Sequence, residues 1–255
     1  MNGSSDVATA GFVSRSHKAI APFALERAES VAAAAASVAN GAVPHAGGID
    51  VVERMQGGAA VERVVDVSGL ADLRQIVVVG DVLRIGAAVT HARIESDATI
   101  AGHCPALAAA WATVGNVRIR RTGTIGGNLM AFDKDYDAAP ILAAVGATLV
   151  FAAPDGEFRR SVADRVPGAL LVAVEIATGA EVRFDRSLKP AVTVAVGAAA
   201  GRTTVAVGCA HPGVQVVDAE QLDDLPEPID DADASSAYRR RMISVLAERL
   251  IETST

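Results

Sequence analysis

The sequence predicts an α+β fold in which a larger part of mixed helices and strands precedes a smaller part made of an antiparallel sheet and helices. Over the first two thirds of the chain, helix-forming segments alternate with short β-branched segments that glycine turns separate. In the last third, three strand-like segments precede one long amphipathic helix pattern. We therefore expect a first domain over residues 1–177, with subdomains over about 1–60 and 61–177, and a second domain over residues 178–255.

The first domain begins with an alanine-rich segment that predicts a helix over residues 24–40, because alanine has the highest helix propensity. Gly41 follows where a left-handed C-terminal cap would lie. A second helix is predicted over residues 105–114, which start with a proline suited to the first turn, and a third over residues 140–145. Strands are predicted at residues 43–45, 64–67, 76–79, 82–85 and 170–176, and a hairpin at residues 148–151 and 158–161 around Pro154-Asp155-Gly156.

The second domain starts near residues 177–180. Residues 181–184, 191–198 and 203–207 predict an antiparallel meander, and residues 223–233 form an acidic, proline-bearing linker. A final amphipathic helix is predicted over residues 235–252. Its expected inward side chains are Tyr238, Met242, Ile243, Val245, Leu246 and Leu250.

Composition excludes several classes of protein. With 255 residues and 51% hydrophobic content, the chain can bury a substantial core without metals or disulfides. A net charge of −7 and 4% aromatic residues argue against a nucleic-acid partner, since phosphates attract basic surfaces. Residues 1–30 carry charges and no continuous apolar stretch, and no other segment is long and apolar enough to span a membrane. We therefore expect a cytoplasmic protein.

Cysteine and histidine positions give no metal or redox motif. Cys104 and Cys209 lie far apart in the sequence and have no neighbouring cysteine, so neither a Cys-x-x-Cys pair nor a cysteine-ligated iron–sulfur cluster can form within this chain. The histidines at positions 45, 91, 103 and 211 have no metal-ligand spacing and form no recognisable triad with a serine. We assign them no catalytic role and predict no metal site.

Two glycine segments are the candidates for ligand binding. Residues 123–128 read GTIGGN, in which successive backbone N–H groups could converge on an anion such as a pyrophosphate. The glycine spacing fits neither a P-loop nor the Gly-x-Gly-x-x-Gly fingerprint. Residues 46–50 read AGGID and follow a predicted strand, giving a second place where backbone can approach a ligand. Taken alone, either segment is better interpreted as an ordinary turn, because Gly-Gly is a common turn signal.

Together with their flanks, these segments resemble a known family. Residues 114–129 read VGNVRIRRTGTIGGNL, which resembles the V-G-N-x-Q-I-R-N-x-G-T-I-G-G-N-L signature of the FAD-binding subunit of molybdenum hydroxylases, the xanthine dehydrogenase and carbon monoxide dehydrogenase family. Residues 46–48 are similar to the start of its A-G-G-T-D loop, and residues 65–67 to its L-I-D-L strand. Residues 84–87 with Thr90 match its I-G-A-x-x-T segment, and Ala147 and Leu170 also agree.

The resemblance implies a two-subdomain FAD domain, of the type also found in vanillyl-alcohol oxidases, followed by a small antiparallel domain. It implies non-covalent FAD whose pyrophosphate lies between the two glycine segments. Asp137 would accept a hydrogen bond from a cofactor hydroxyl, although an exposed carboxylate at a helix start is the alternative. The implied cofactor-binding residues are Ala46, Gly47, Gly48, Ile49, Asp50, Val114, Thr124, Ile125, Gly126, Gly127, Asn128, Asp137 and Leu171.

The resemblance also implies an electron-transfer function with no catalytic side chain in this chain. Electrons from a molybdopterin-binding large subunit would pass through two-iron, two-sulfur clusters of a small subunit to FAD, and then to NAD, oxygen or another acceptor. The family's basic residue near the flavin has two candidates, Arg186 and Lys189. Ile49 stands where the family usually has threonine or serine, which motivates a flavin-free assembly subunit as one alternative. A self-contained FAD oxidoreductase and a non-enzymatic small-molecule binding protein are two others.

Overall fold

A computed structural model describes residues 20–132, 137–153, 156–188, 191–199 and 201–252. Their strands form a three-stranded, a five-stranded and a four-stranded sheet, which confirms the mixed α+β class. Three parts of the sequence predictions lie outside the described residues. They are the N-terminal residues 1–19, the turn residues Pro154 and Asp155, and the candidate basic residue Lys189. Among those described, no helix combines the length and the apolar character that crossing a membrane requires.

The three-stranded sheet is parallel and contains β1 (Ala24–Arg27), β3 (Arg63–Asp66) and β2 (Val43–His45) in that order. Helices α1 (Val31–Ala39) and α2 (Ile49–Gln56) connect its strands. The predicted helix over residues 24–40 is wrong in its first part, because the hydroxyl of Ser30 accepts a hydrogen bond from the backbone N–H of Ala33 and starts the helix there. β3 lies beyond residue 60, so this sheet extends past the expected subdomain limit.

The five-stranded sheet is antiparallel and has the order β4-β5-β8-β6-β7. The predicted strands and the hairpin are confirmed. The strands are β4 (Ile76–Val79), β5 (Val82–Gly86), β6 (Thr148–Ala153), β7 (Gly156–Ser161) and β8 (Leu170–Ala177). Between β5 and β6 the chain forms six short helices, α3 (His91–Ser96), α4 (Ala98–His103), α5 (Pro105–Trp111), α6 (Val117–Thr122), α7 (Ile125–Met130) and α8 (Ala138–Ala144). Their apolar faces and the sheet enclose the main core.

The four-stranded sheet is antiparallel and has the order β12-β11-β10-β9, which confirms the predicted meander. Its strands are β9 (Glu181–Arg186), β10 (Thr193–Ala199), β11 (Arg202–Gly208) and β12 (Gln215–Asp218), and short 3-10 helices lie at Ala71–Arg74 and Ala219–Asp224. The five-stranded sheet ends at Ala177, and Glu181 begins β9. Because α8 packs against β10 and shares its core, the division into separate domains stays a prediction.

The C-terminal helix α9 (Ser236–Glu252) packs on the four-stranded sheet through Ile243, Leu246 and Leu250, as expected. Tyr238 and Val245 are instead exposed, so that part of the prediction is wrong. The reason is that Arg239 is buried on the inner stripe, where its guanidinium donates to the Cys209 carbonyl and to Asp231. With Arg239 facing inward, the residues at positions 238 and 245 are rotated outward.

Candidate functional site

A cavity of about 340 Å³ lies where the start of α2, the start of α7 and the start of β8 meet. Its volume is in the range of small-molecule binding sites. Its floor is apolar and includes Val38, Val67, Leu73 and Ala88. Ten of the thirteen predicted cofactor residues line this cavity. The ten are Ala46, Gly47, Gly48, Ile49, Asp50, Thr124, Gly126, Gly127, Asn128 and Leu171.

The two glycine segments lie against each other because Gly47 has no side chain. A Cβ atom at Gly47 would lie 1.9 Å from the carbonyl oxygen of Thr122, well inside a van der Waals contact. Gly48, which has a φ of +74°, then turns the chain into α2. The side chain of Ile49 points toward Gly123, where a Cβ would lie 3.2 Å from its Cδ1. Ile49 therefore joins the two segments by an apolar contact instead of offering a hydroxyl.

The first segment presents unpaired hydrogen-bond donors. Within the described ranges, the backbone N–H groups of Ala46, Gly47, Gly48 and Ile49 donate to no acceptor. They lie at the N-terminus of α2, where the helix dipole favours negative charge. Unpaired N–H groups beside a cavity suit a phosphate, which supplies several acceptor oxygens.

In the second segment, the protein itself accepts most of the backbone hydrogen bonds. Ile125 and Gly126 donate to the carbonyls of Val89 and Ala87 at 3.0 and 2.8 Å. Gly127 donates to the hydroxyl oxygen of Thr124 at 3.1 Å, and Asn128 donates to a backbone carbonyl. The segment is thus the first turn of α7, tied to the chain that follows β5. The N–H groups of residues 125–128 are therefore not free to converge on an anion.

The side chains of Thr124 and Asn128 remain available to a ligand. Thr124 is buried, lines the cavity and keeps its hydroxyl hydrogen for a further bond. The Oδ1 atom of Asn128 is buried and accepts no hydrogen bond from the described residues. A buried oxygen that lacks a donor is costly, which indicates that a ligand provides one.

The sequence assigned no role to His91, yet it lies in this cavity. His91 begins α3, is 1% exposed and accepts a hydrogen bond at Nδ1 from Trp111 Nε1 at 3.0 Å. Burial, together with the charge of Arg120, lowers the pKa of His91 to about 4. Position 91 is twenty residues from its partner and follows no motif spacing, so local sequence patterns carried no signal for this pair.

Charges of both signs surround the first segment. Arg54 lines the cavity, and its Nη1 lies 3.5 Å from Asp50 Oδ2 on the same helix. His45 also lines it, with Nδ1 3.7 Å from Asp66 Oδ1. Burial raises the pKa of Asp66, but hydrogen bonds from Ser68 and the nearby charges outweigh it and lower the pKa overall. The carboxylates near this segment thus have basic neighbours, which reduces their repulsion of an anion.

Three predicted residues do not line the described cavity. The side chains of Val114 and Ile125 are buried in the main core. Asp137 is buried, which excludes the alternative of an exposed helix-start carboxylate, and it forms an ion pair with Arg186 of β9. Arg186 also donates to the Thr113 carbonyl at 3.4 Å. A contact of Asp137 with a cofactor stays a prediction.

In the described part of the chain, no cluster of histidine, cysteine or carboxylate side chains could hold a metal ion.

Comparison with known proteins gives one family and several similar structures. A family model described as the FAD binding domain in molybdopterin dehydrogenase matches residues 21–183. The nicotinate dehydrogenase FAD-subunit of Eubacterium barkeri is 33% identical over 124 residues, which cover 48% of this chain and 42% of that protein. The nicotine 6-hydroxylase medium subunit of Paenarthrobacter nicotinovorans is 39% identical over 66 residues, covering 26% and 23%. The alignments thus span less than half of these two curated relatives.

Solved structures share the fold over nearly the whole chain. Reconstituted CO dehydrogenase from Oligotropha carboxidovorans superimposes with a TM-score of 0.82 and 22% identity, covering 92% of this chain and 98% of that one. Quinoline 2-oxidoreductase from Pseudomonas putida 86 gives 0.80 and 22%, covering 92% and 97%. At 22% identity, this likeness shows only that the fold is shared.

Proposed function

The chain belongs to the family of FAD-binding domains in molybdopterin dehydrogenases, and we propose that it is the FAD-binding electron-transfer subunit of a molybdenum hydroxylase complex. The observation that carries the proposal is the cavity between the glycine segments, where unpaired backbone N–H groups meet an apolar floor. A dinucleotide has both features that such a cavity recognises, a pyrophosphate and flat aromatic rings. The curated relatives are themselves named as FAD or medium subunits.

Different residues of the cavity fit different parts of FAD. The N–H groups of residues 46–49 would hold the pyrophosphate, and Thr124 and Asn128 would bond to polar oxygen or hydroxyl groups of the cofactor. Gly127 and Leu171 leave room along the cavity wall. We keep Asp137, Val114 and Ile125 as predicted cofactor neighbours that act from outside the described cavity. Bound FAD would supply the redox chemistry, while this chain positions it and excludes water.

Electrons must then cross a subunit interface. Cys104 and Cys209 are both buried, and the described residues contain no group of histidine, cysteine or carboxylate side chains that could hold a metal ion. We therefore place the iron–sulfur clusters and the molybdopterin on partner subunits, in a cytoplasmic heterotrimer. Electrons would pass from a cluster to FAD and then to NAD, oxygen or another acceptor. Several relatives are named as subunits, which supports an assembly of this kind.

The test is to purify the chain together with its partners and extract flavin under denaturing conditions. We expect one non-covalently bound FAD per copy of this chain. A complex with complete subunits but no flavin would identify an assembly subunit instead. A separate measurement adds organic donors to the flavin-loaded chain without partners. Direct reduction there would identify a self-contained oxidoreductase and overturn the electron-transfer assignment.

A further inference from the structure

The imidazole of His91 is a polar group in the cavity that the sequence analysis did not include among the cofactor-binding residues. It is buried against α5 and lines the cavity below the junction of the two glycine segments. A Cβ at Gly123 would lie 3.0 Å from His91 Cδ2 and 3.2 Å from Ile49 Cδ1. The Cδ2 atom, which is bonded to Nε2, therefore lies near the side chain of Ile49, the first residue of α2. The unpaired N–H groups of the first segment line the same cavity.

The hydrogen bond from Trp111 determines which nitrogen of His91 carries the proton. An indole N–H can only donate, so Nδ1 must be the unprotonated acceptor. A neutral imidazole then has its proton on Nε2. The ring stays neutral because burial disfavours the imidazolium and Arg120 repels it, which together hold the pKa at about 4. Glu95 partly offsets Arg120, with which it forms an ion pair at 3.2 Å.

The Nε2–H group has no acceptor among the described residues. The side chain is 1% exposed, yet Nε2 is not among the fully enclosed unpaired atoms, so this nitrogen keeps a small accessible surface on a residue that lines the cavity. A donor that has no protein acceptor at the wall of a cavity is available to a ligand bound there. Asn128 lines the same cavity, and its Oδ1 atom is fully enclosed and accepts no hydrogen bond from the described residues. Two complementary unpaired groups facing one cavity indicate a ligand that carries both an acceptor and a donor.

We propose that His91 is a cofactor-binding residue whose Nε2–H donates a hydrogen bond to a phosphate oxygen of FAD, with Trp111 as the positioning residue that fixes the tautomer. This inference rests on the proposed function. Since the donor is neutral, its bond to the phosphate does not depend on a protonation step in the physiological range. His91 would add a side-chain donor to the backbone donors at residues 46–49 of the same cavity.

Substitution tests the contact through the dissociation constant for FAD, measured by quenching of flavin fluorescence with the full chain. His91→Phe removes the donor and keeps a planar ring, so we expect binding to weaken roughly 10- to 100-fold. His91→Gln retains an N–H donor and should recover part of the affinity. Trp111→Phe removes only the orienting donor, and its loss should lie between wild type and His91→Phe. His103→Phe is the matched control at an exposed histidine on α4 and should bind like wild type.

A second measurement needs no substitution and so does not depend on the variants folding. In ¹⁵N-labelled wild-type protein, the side-chain nitrogens of His91 should show an unprotonated Nδ1 and a protonated Nε2. The Nε2 proton should move downfield when FAD is added. The opposite tautomer, or an unchanged proton signal at saturating FAD, would overturn the inference. If wild type binds FAD and His91→Phe binds it equally well, the inference alone fails. If wild type binds no FAD, the proposed function fails first.

Discussion

The neutral, buried state of His91 makes the fold sensitive to acid, and this effect can be given a magnitude. The pKa of His91 is about 4 in the folded chain, against an ordinary value of 6.5. As the pH falls below 6.5, the imidazole of His91 becomes protonated in the unfolded chain but stays neutral in the folded chain. The free energy of unfolding therefore decreases. The loss continues until the pH falls through about 4, below which both states are protonated. The gap between the two pKa values corresponds to about 3 kcal/mol, of which about 2 kcal/mol should be lost by pH 5.

Urea unfolding at pH 7.5 and pH 5 measures this loss. His91→Gln cannot titrate, so its free energy of unfolding should fall by about 2 kcal/mol less than that of wild type over this interval. A residual loss should remain in the variant, because burial also lowers the pKa of His211. His103→Gln serves as the control and should keep the full loss. If His91→Gln and wild type lose the same free energy between the two pH values, His91 is not neutral and buried as described.

Three substitutions separate binding from folding. Gly127→Val should abolish FAD retention while changing stability by less than about 1 kcal/mol, because a Cβ there meets only the Thr124 hydroxyl, at 3.1 Å. Normal flavin content in this variant would remove Gly127 from the site. Gly47→Ala should destabilise the chain by about 3 kcal/mol, since its Cβ would collide with backbone, and unchanged urea unfolding would contradict the close approach. Arg239→Met should cost about 2 kcal/mol by removing the guanidinium donor from the buried Cys209 carbonyl, and an unaltered urea midpoint would refute it.

Local sequence patterns predicted most of the strands because each has an apolar, β-branched run between glycine turns. They failed at residues 24–27, where the composition favours a helix but pairing with β3 decides the structure. Ser30 was the available signal, since a serine before an alanine run suits an N-cap. In α9 the inward face was misjudged because a buried arginine lies on it. Periodicity treats arginine as polar, so its burial with Asp231 is visible only in the structure.

The sequence predicted many of the residues that line the cavity, but it missed His91 and predicted the hydrogen bonding only in part. The two glycine segments do meet at one cavity, as their resemblance to the family implied. The sequence could not show which N–H groups stay unpaired, because that depends on carbonyls of residues 87 and 89, far away along the chain. His91 escaped notice for the same reason. Its significance comes from Trp111 and from burial, neither of which is encoded by spacing.

The two adjacent glycines of the second segment, Gly126 and Gly127, have different structural roles. Gly126 has no room for a side chain, since a Cβ would lie 2.7 Å from the Ala87 carbonyl oxygen, which also accepts its N–H. Gly127, one residue later, faces the cavity and is exposed. The Gly-Gly pair therefore serves two purposes: the first glycine anchors α7 to the chain after β5, and the second keeps the cavity wall open. By holding α7 in place, the anchored segment positions Thr124 and Asn128 at the same cavity as the first segment, whose unpaired N–H groups are the ones that we propose to bind the pyrophosphate.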